Sequence, residues 1–258
     1  MGLIKEVAYT VLEALFGKRG LSKSINGIKV RLPVRYINYF PDDYEYENFN
    51  FLRQHLSEGD VVLDIGAHIG VFAVIAARYG GNIGKVYAFE PASATNMLLQ
   101  KTIAINNINT VVLPYKAAMG AVSGKTKFYV SAIDGDNSNS LVAYKTDRDL
   151  FATEVDIFTV DDFVEQNKID AVNFIKIDVE GAELDALRGA RNTFLKHKPA
   201  CILAIHPEPI LSKGDSLEDI YNYIRDLGYT ILHNNGLISS EMFCINRALI
   251  DLHLLPDN

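Results

Sequence analysis

The chain has 258 residues, 48% of them hydrophobic and 22% charged, with two cysteines and no tryptophan. That apolar content offsets the entropy of ordering a chain and excludes both a disordered polymer and a disulfide scaffold. A net charge of −7, from 25 Lys and Arg against 32 Asp and Glu, lacks the basic footprint of a nucleic-acid binder, and no apolar run is long enough to span a membrane.

Residues 3–16 carry Leu3, Ile4, Val7, Ala8, Val11, Leu12, Leu15 and Phe16 at helical spacing, with Gly17 and Gly20 as a stop. Lys5, Glu6 and Glu13 are the only charges on the other face, too few cations for a membrane-surface helix. The expectation is a helix docked on the protein's own body or on a second copy, which would make a homodimer. Glu6 also breaks the basic start of a signal peptide and occupies the place where N-myristoylation needs Ser or Thr. The expected compartment is the cytoplasm. A short strand pair is expected over residues 25–35. Residues 36–51 then pack seven aromatics among acids, from Tyr36 to Phe51. They read as a packed connector, with a sugar-stacking surface as the functional alternative. Residues 1–57 form an extension on this reading, and residues 58–258 the main domain, with an insert at about 120–160.

From residue 60 the pattern becomes regular. Strands are expected at Val61–Ile65, Lys85–Phe89, Thr110–Leu113, Val172–Val179 and Ala200–Ile205. Helices are expected at Val71–Tyr79, Ala94–Ile105, Ala182–Leu195 and Ser216–Leu227, with Ser216 as an N-cap. Tyr229–Leu232 and Met242–Ile245 would close the sheet as an antiparallel pair. This alternation predicts an α/β fold with a mostly parallel sheet and helices on both faces. The β-rich Thr126–Ser131 and Val155–Val160, with the polar stretch Asp134–Ser140 between them, interrupt it. Cys201 and Cys244 sit in apolar runs and read as small buried thiols.

Three stretches carry chemistry. In Asp64-Ile65-Gly66-Ala67-His68-Ile69-Gly70, two glycines between a strand and a helix let the backbone approach a ligand. Glu90 ends the next strand twenty residues after Gly70, where a carboxylate can accept ribose hydroxyls. The loop lacks the middle glycine of a dinucleotide fingerprint and the Gly-Lys of a P-loop. An acid at the strand tip suits a cation better than a pyrophosphate. The cofactor this favours is S-adenosylmethionine.

The second stretch, Lys176-Ile177-Asp178-Val179-Glu180-Gly181-Ala182-Glu183, runs charges up one side of an apolar strand to its rim. Buried charges are costly unless paired or facing a site, so either a Lys176–Asp178 structural pair capping the next helix or a functional Asp178 and Glu180 is expected. Glu183 reads as a first-turn acid complementing the helix dipole. The third is His206, at the end of another apolar strand, where an imidazole titrating near neutrality suits a general base.

Together these stretches, over roughly residues 58–210, resemble the FkbM-like S-adenosylmethionine-dependent methyltransferases; the Asp178-Val179-Glu180-Gly181-Ala182-Glu183 run and His206-Pro207 carry most of the likeness. The resemblance implies a seven-stranded class I methyltransferase sheet and methylation of a hydroxyl on a sugar, glycan or secondary metabolite. It implies cofactor contacts from Asp64, Gly66, His68 and Gly70 to the methionine part, from Glu90 to the ribose, and from Lys116, Ala117 and Ala118 near the adenine. Asp178 and Glu180 would face the reacting end, with His206 as the base. Asp178, Glu180 and His206 also offer a hard ligand set for Mg²⁺. Two positions depart from the family pattern: His68 replaces a frequent Asn, and Ala204 replaces a Glu two residues before His206, leaving Glu208 as the nearest substitute. The acceptor site is expected at Asp134–Ser140 and Tyr36–Phe51. Two other classes stay open: a nucleotide-cofactor oxidoreductase on the same sheet, and a non-catalytic binding module retaining the fold.

Overall fold

The structure, a computed structural model, describes residues 2–131, 140–142 and 150–257. The chain opens with α1 (Gly2–Phe16) and a hairpin of β1 (Leu21–Ile25) and β2 (Ile28–Leu32). Asn26 and Gly27 turn that hairpin with positive φ at both positions, 49° and 80°, which matches strand twist. This Asn-Gly signal pulls the first strand back from residue 25 to residues 21–25. A single turn of 3-10 helix at Val34–Tyr36 and α2 (Tyr46–His55) follow.

The regular part runs β3 (Val61–Ile65), α3 (Val71–Gly80), β4 (Lys85–Phe89), α4 (Ser93–Asn106) and β5 (Val112–Tyr115). Next come β6 (Ala118–Met119), β7 (Gly124–Ser131) and β8 (Leu150–Phe158), which pair as a separate three-stranded sheet. Then follow α5 (Val160–Gln166), β9 (Phe174–Ile177), α6 (Glu183–Gly189), α7 (Arg191–His197), β10 (Ala200–Ile205) and α8 (Pro207–Lys213). The chain finishes with α9 (Leu217–Asp226), β11 (Tyr229–His233), β12 (Gly236–Leu237), α10 (Ser240–Ile245) and β13 (Ile250–Pro256).

The main sheet has the order β12-β11-β13-β10-β9-β3-β4-β5. Strands β10, β9, β3, β4 and β5 are mutually parallel, and β13 inserts antiparallel between β10 and β11. The expected α/β fold with a mostly parallel sheet is the fold observed, with the two-residue β12 as an eighth strand. Chain direction away from the sheet reverses between β3 and β9, the kind of switch point where open α/β sheets leave a crevice. One face buries Leu63, Ile175, Leu187, Leu203 and Ile220; the other buries Val62, Val74, Leu99, Phe174 and Ile202. Ile25, Leu32, Phe40, Phe49 and Phe51 join the second cluster, so the N-terminal hairpin and aromatic segment are built into the core of this face.

Three expected elements need correction. Met242–Ile245 is helical: the Ser239 side chain accepts from the Met242 N–H and starts α10, and the sheet is closed by Ile250–Pro256 instead. Cys244 is therefore a half-buried helix residue, while Cys201 is fully buried in β10. Residues 182–195 form two helices, because the backbone leaves helical geometry at Ala190 (φ −108°, ψ 6°). Over the described side chains of α1, from residue 6 on, the stripe is largely uncovered, with Leu12 half-buried. Salt bridges from Arg35 to Glu6 and from Lys101 to Glu13 hold the helix, while Val7 and Leu15 stay 58% and 67% exposed. Among the described residues no helix is long and apolar enough to cross a membrane.

Candidate active site

Strands β3, β4, β9 and β10 end at one rim, and the segments that follow them enclose a cavity of about 370 Å³. Gly66, Ala67, His68, Glu90, Ala117, Ala118, Asp178, Glu180 and His206 all line it. So do Tyr39, Phe40, Tyr44 and Glu45 from the N-terminal segment, and Leu249 and Asp251 from the C-terminal one.

The β3–α3 loop is shaped by its glycines. The N–H groups of Gly66 and Ala67 both donate to the Phe89 carbonyl, at 3.0 and 2.9 Å, which folds the loop against β4. Gly66 has φ +84°, and a Cβ there would stand 1.8 Å from the Asp178 carbonyl oxygen. Only hydrogen fits that gap. Gly70 (φ +91°) starts α3 with Leu99 pressed against it. Between the two, His68 adopts φ +50°, a conformation that L side chains rarely take.

Glu90 is buried and held from both sides: the His68 N–H donates to Oε2 at 3.1 Å and the Ala92 N–H to Oε1 at 2.9 Å. Burial pushes its carboxyl up to about 7, against the pull of those two bonds. Asp64 lies one layer deeper. It is fully buried, and neither carboxylate oxygen has a hydrogen-bond partner among the described residues. Burial raises its carboxyl to about 7, against the opposing pull of Lys176, its register partner on β9.

The expected Lys176–Asp178 pair forms, Nζ to Oδ2 at 2.8 Å. The buried Lys176 ammonium also sits 5.7 Å from the centre of the Phe72 ring. Burial favours the neutral amine, but the charges of Asp178, Glu45 and Asp64 hold the lysine pKa above its ordinary value. Burial likewise raises Asp178, and Lys176 and His206 more than reverse it, leaving Asp178 below the usual carboxylate range. The pair does not cap α6. There the Gly181 N–H donates to Glu183 Oε1, at 3.1 Å.

Glu183 is the first-turn acid of α6 that the sequence predicts, but its contact with His206 was not foreseen. It is fully buried, and its Oε1 lies 2.8 Å from His206 Nδ1. A signal was available: Glu183 stands four residues before the buried Leu187, on the inward face of α6. The other ring nitrogen, Nε2, lies 3.6 Å from both Asp178 Oδ1 and Glu180 Oε1. Burial lowers the imidazole pKa, but the Glu183 hydrogen bond and the three carboxylate charges outweigh it and lift it to about 9. The expectation of titration near neutrality is therefore corrected. These contacts favour the protonated ring.

Other expected residues fall differently. Asp64 and Gly70 support the cavity from outside its lining, and Lys116 leaves the rim, exposed, toward Ser93 Oγ at 3.4 Å. Glu208 is exposed and does not replace the carboxylate missing at Ala204. Asp251 does stand beside Ala204, as its register partner across β13, and both line the cavity. Asp134–Asn139 lie outside the described residues; Ser140, also from that stretch, donates its hydroxyl to the Glu180 carbonyl at 2.5 Å. Asp178, Glu180 and His206 converge, with Lys176 on the Asp178 carboxylate and Glu183 on Nδ1 of the ring. Among the described residues no group of three or more acidic, His or Cys side chains is arranged to hold a metal ion.

Residues 64–231 match the family model of the methyltransferase FkbM domain. The hexuronic acid methyltransferase AglP of Haloferax volcanii is 27% identical over 162 residues, 63% of this chain and 62% of that one. Methyltransferase 1 of Beauveria bassiana is 28% identical over 145 residues, 50% of this chain and 57% of that one. The chain thus spans about three fifths of the length of these curated relatives. Among solved structures, the methyltransferase FkbM of Methylobacillus flagellatus superimposes with a TM-score of 0.50 at 22% identity, over 77% of this chain and 44% of that one. An rRNA methylase of Streptococcus thermophilus does so at 0.50 and 11% identity, over 82% and 95%. At these identities the structural likenesses show a shared fold.

Proposed function

The chain belongs to the FkbM methyltransferase domain family, and from that premise we propose that it moves the methyl group of S-adenosylmethionine to a hydroxyl of a sugar, glycan or related small molecule. One observation carries the reading. A glycine-shaped, acid-lined cavity and an imidazole oriented by a buried carboxylate meet on the same wall. The curated relative named as a hexuronic acid methyltransferase supports a sugar as the acceptor class.

The residues present fit the cofactor. Gly66 brings main chain to the cavity wall where no side chain could stand. Glu90 keeps free lone pairs on both oxygens, each of which accepts one backbone N–H, and so can accept ribose hydroxyls. Ala117, Ala118, Met119, Phe128 and Leu141 offer an apolar slot for a flat base. The lining carboxylates Asp178 and Glu180 give that end of the cavity the sign that suits a sulfonium. When bound, S-adenosylmethionine would supply an electrophilic methyl group, its C–S bond breaking as the neutral thioether S-adenosylhomocysteine leaves.

The protein's own work is then alignment and proton removal. Glu183 accepts from Nδ1–H of His206 and fixes the tautomer in which Nε2 carries the lone pair. Nε2 faces the cavity and takes the acceptor's hydroxyl proton as the new C–O bond forms. Asp178 and Glu180 beside Nε2, with Glu183 on Nδ1, favour the protonated ring. His206 gains its base form when cationic charge enters the cavity and offsets those carboxylates.

The reading is tested by incubating the protein with methyl-labelled S-adenosylmethionine and pools of sugars and glycans, read by mass spectrometry. A labelled mass increment on a hydroxyl-bearing acceptor is expected. Transfer confined to nitrogen or carboxylate acceptors would contradict the hydroxyl assignment.

A further inference from the structure

Along the sheet the site has an order. Glu90 follows β4, Gly66 follows β3, Asp178 follows β9, His206 follows β10, and Asp251 lies on β13. Glu90 and Asp251 are thus four strands apart, roughly 19 Å at the usual strand spacing. The candidate base stands between them. If the Glu90 end holds the cofactor, the Asp251 end faces whatever the base deprotonates.

That far end is built from two segments distant in sequence, α2 with its N-cap and β13. Asn48, in α2, is buried, and its Nδ2 donates to Asp251 Oδ2 at 2.9 Å and to Glu45 Oε2 at 3.3 Å. Its Oδ1 lies 2.9 Å from His253 Nε2, on β13. Carboxylates accept and do not donate when ionised, so the amide nitrogen faces them and the amide oxygen faces His253. His253 therefore carries its proton on Nε2. Its Nδ1 is buried without a partner among the described residues, and the ring is stacked on Phe51 at 4.2 Å. Burial lowers this imidazole to about 4, so it stays neutral and its tautomer stays fixed.

We propose that Asn48, oriented by His253, holds Glu45 and Asp251 as the acceptor end of the cavity, and that this end selects an uncharged or cationic hydroxyl-bearing ring over an anionic sugar acid. The proposal deepens, and rests on, the methyl-transfer reading. Its physical content is hydrogen-bond polarity. Two carboxylates held by one amide accept hydroxyl or ammonium protons and repel a third carboxylate. Among the described lining residues, the carboxylates Glu45, Glu90, Asp178, Glu180 and Asp251 outnumber the basic side chains Lys176, His206 and His68. Lys176 is already tied to Asp178. The acceptor chemistry this selects differs from that in the name of the curated relative AglP.

Asn48 is on this account a positioning residue. The test titrates methyl α-D-glucopyranoside, D-glucosamine and D-glucuronate into the full chain, with and without S-adenosylhomocysteine, observed by saturation-transfer NMR. The glucoside and glucosamine are expected to bind roughly tenfold more tightly than glucuronate. Asp251→Asn and the more exposed Glu45→Gln should each narrow the gap between glucosamine and glucuronate. Asn48→Leu should weaken the neutral glucoside about tenfold. A purely structural role for these residues would weaken all three sugars alike and leave the charge preference unmoved. Glucuronate binding as tightly as the others, no binding by any sugar, or variants that keep the preference would overturn the proposal. Failure of S-adenosylhomocysteine to bind strikes the cofactor reading instead, and the titrations without it still decide this one.

Discussion

Replacing His206 by Asn is expected to lower turnover by about a thousandfold while leaving S-adenosylhomocysteine affinity within about twofold. The magnitude follows from the role: a positioned base contributes to the proton-transfer step and little to the ground state. The sign of the pH dependence follows from the geometry. Glu183, Asp178 and Glu180 hold the imidazole protonated up to about pH 9. At pH 7 only about one ring in a hundred is then a base in the free protein. The acceptor kcat/KM, read with cofactor bound, should rise with pH along a limb that levels off below about pH 9. The cationic cofactor should move that limb to lower pH. In His206→Asn the limb should vanish. Stopped-time assays across this range check it, and a flat wild-type profile would remove His206 as the base. Glu183→Gln gives a milder version. It keeps a hydrogen-bond acceptor but deletes one raising charge, so the limb should shift down in pH with a smaller loss of rate.

The second large effect belongs to a glycine. Gly66→Ala places a methyl group 1.8 Å from the Asp178 carbonyl oxygen, in a backbone conformation with φ +84°. Gly214 serves as the control, since its φ is +92° but nothing lies within 4 Å of a Cβ there. Strain alone, as at Gly214, costs about 1 kcal/mol. At Gly66 the neighbour is the Asp178 main chain just past β9, which cannot rotate away. The loop or the strand end must move, and the cost is about 3 kcal/mol or more, roughly 10 °C in Tm for a chain of this length. Cofactor binding should be lost with it, because the same movement displaces the N–H of His68 from Glu90. Calorimetric unfolding of the two variants separates the cases. Equal Tm losses at both glycines would mean that the close approach to Asp178 does not matter.

How much of this was legible in the sequence depends on the range of the interaction. Strands buried on both faces, such as Lys85–Phe89 and Ala200–Ile205, read correctly because continuous apolar runs between turn signals leave little choice. The Ser216 cap also read correctly, since it is a local bond to the Asp219 N–H. Met242–Ile245 failed because a short apolar run has no decisive period, and the deciding contact, the Ser239 cap, lies just outside it. Gly66, His68, Glu90, Asp178, Glu180 and His206, expected from their positions at strand ends, do line the cavity. The Glu183 contact and the place of Asp251 were not expected. One needs the helix face that follows the strand, and the other needs knowledge that β13 inserts beside β10, a pairing across 46 residues from Ala204 ↔ Asp251 to the shared register. The His206 pKa was misjudged for the same reason. A lone histidine reads as near neutral, and three carboxylates brought together from other segments decide otherwise.

The account stands on the cofactor end of the cavity, so the most direct measurement is a calorimetric titration with S-adenosylhomocysteine, set against NAD, on the wild-type chain and on Glu90→Ala. Saturable binding of S-adenosylhomocysteine, none of NAD, and a loss of at least about tenfold in the variant are expected. Equal affinity in wild type and variant, or preferential binding of NAD, would contradict it.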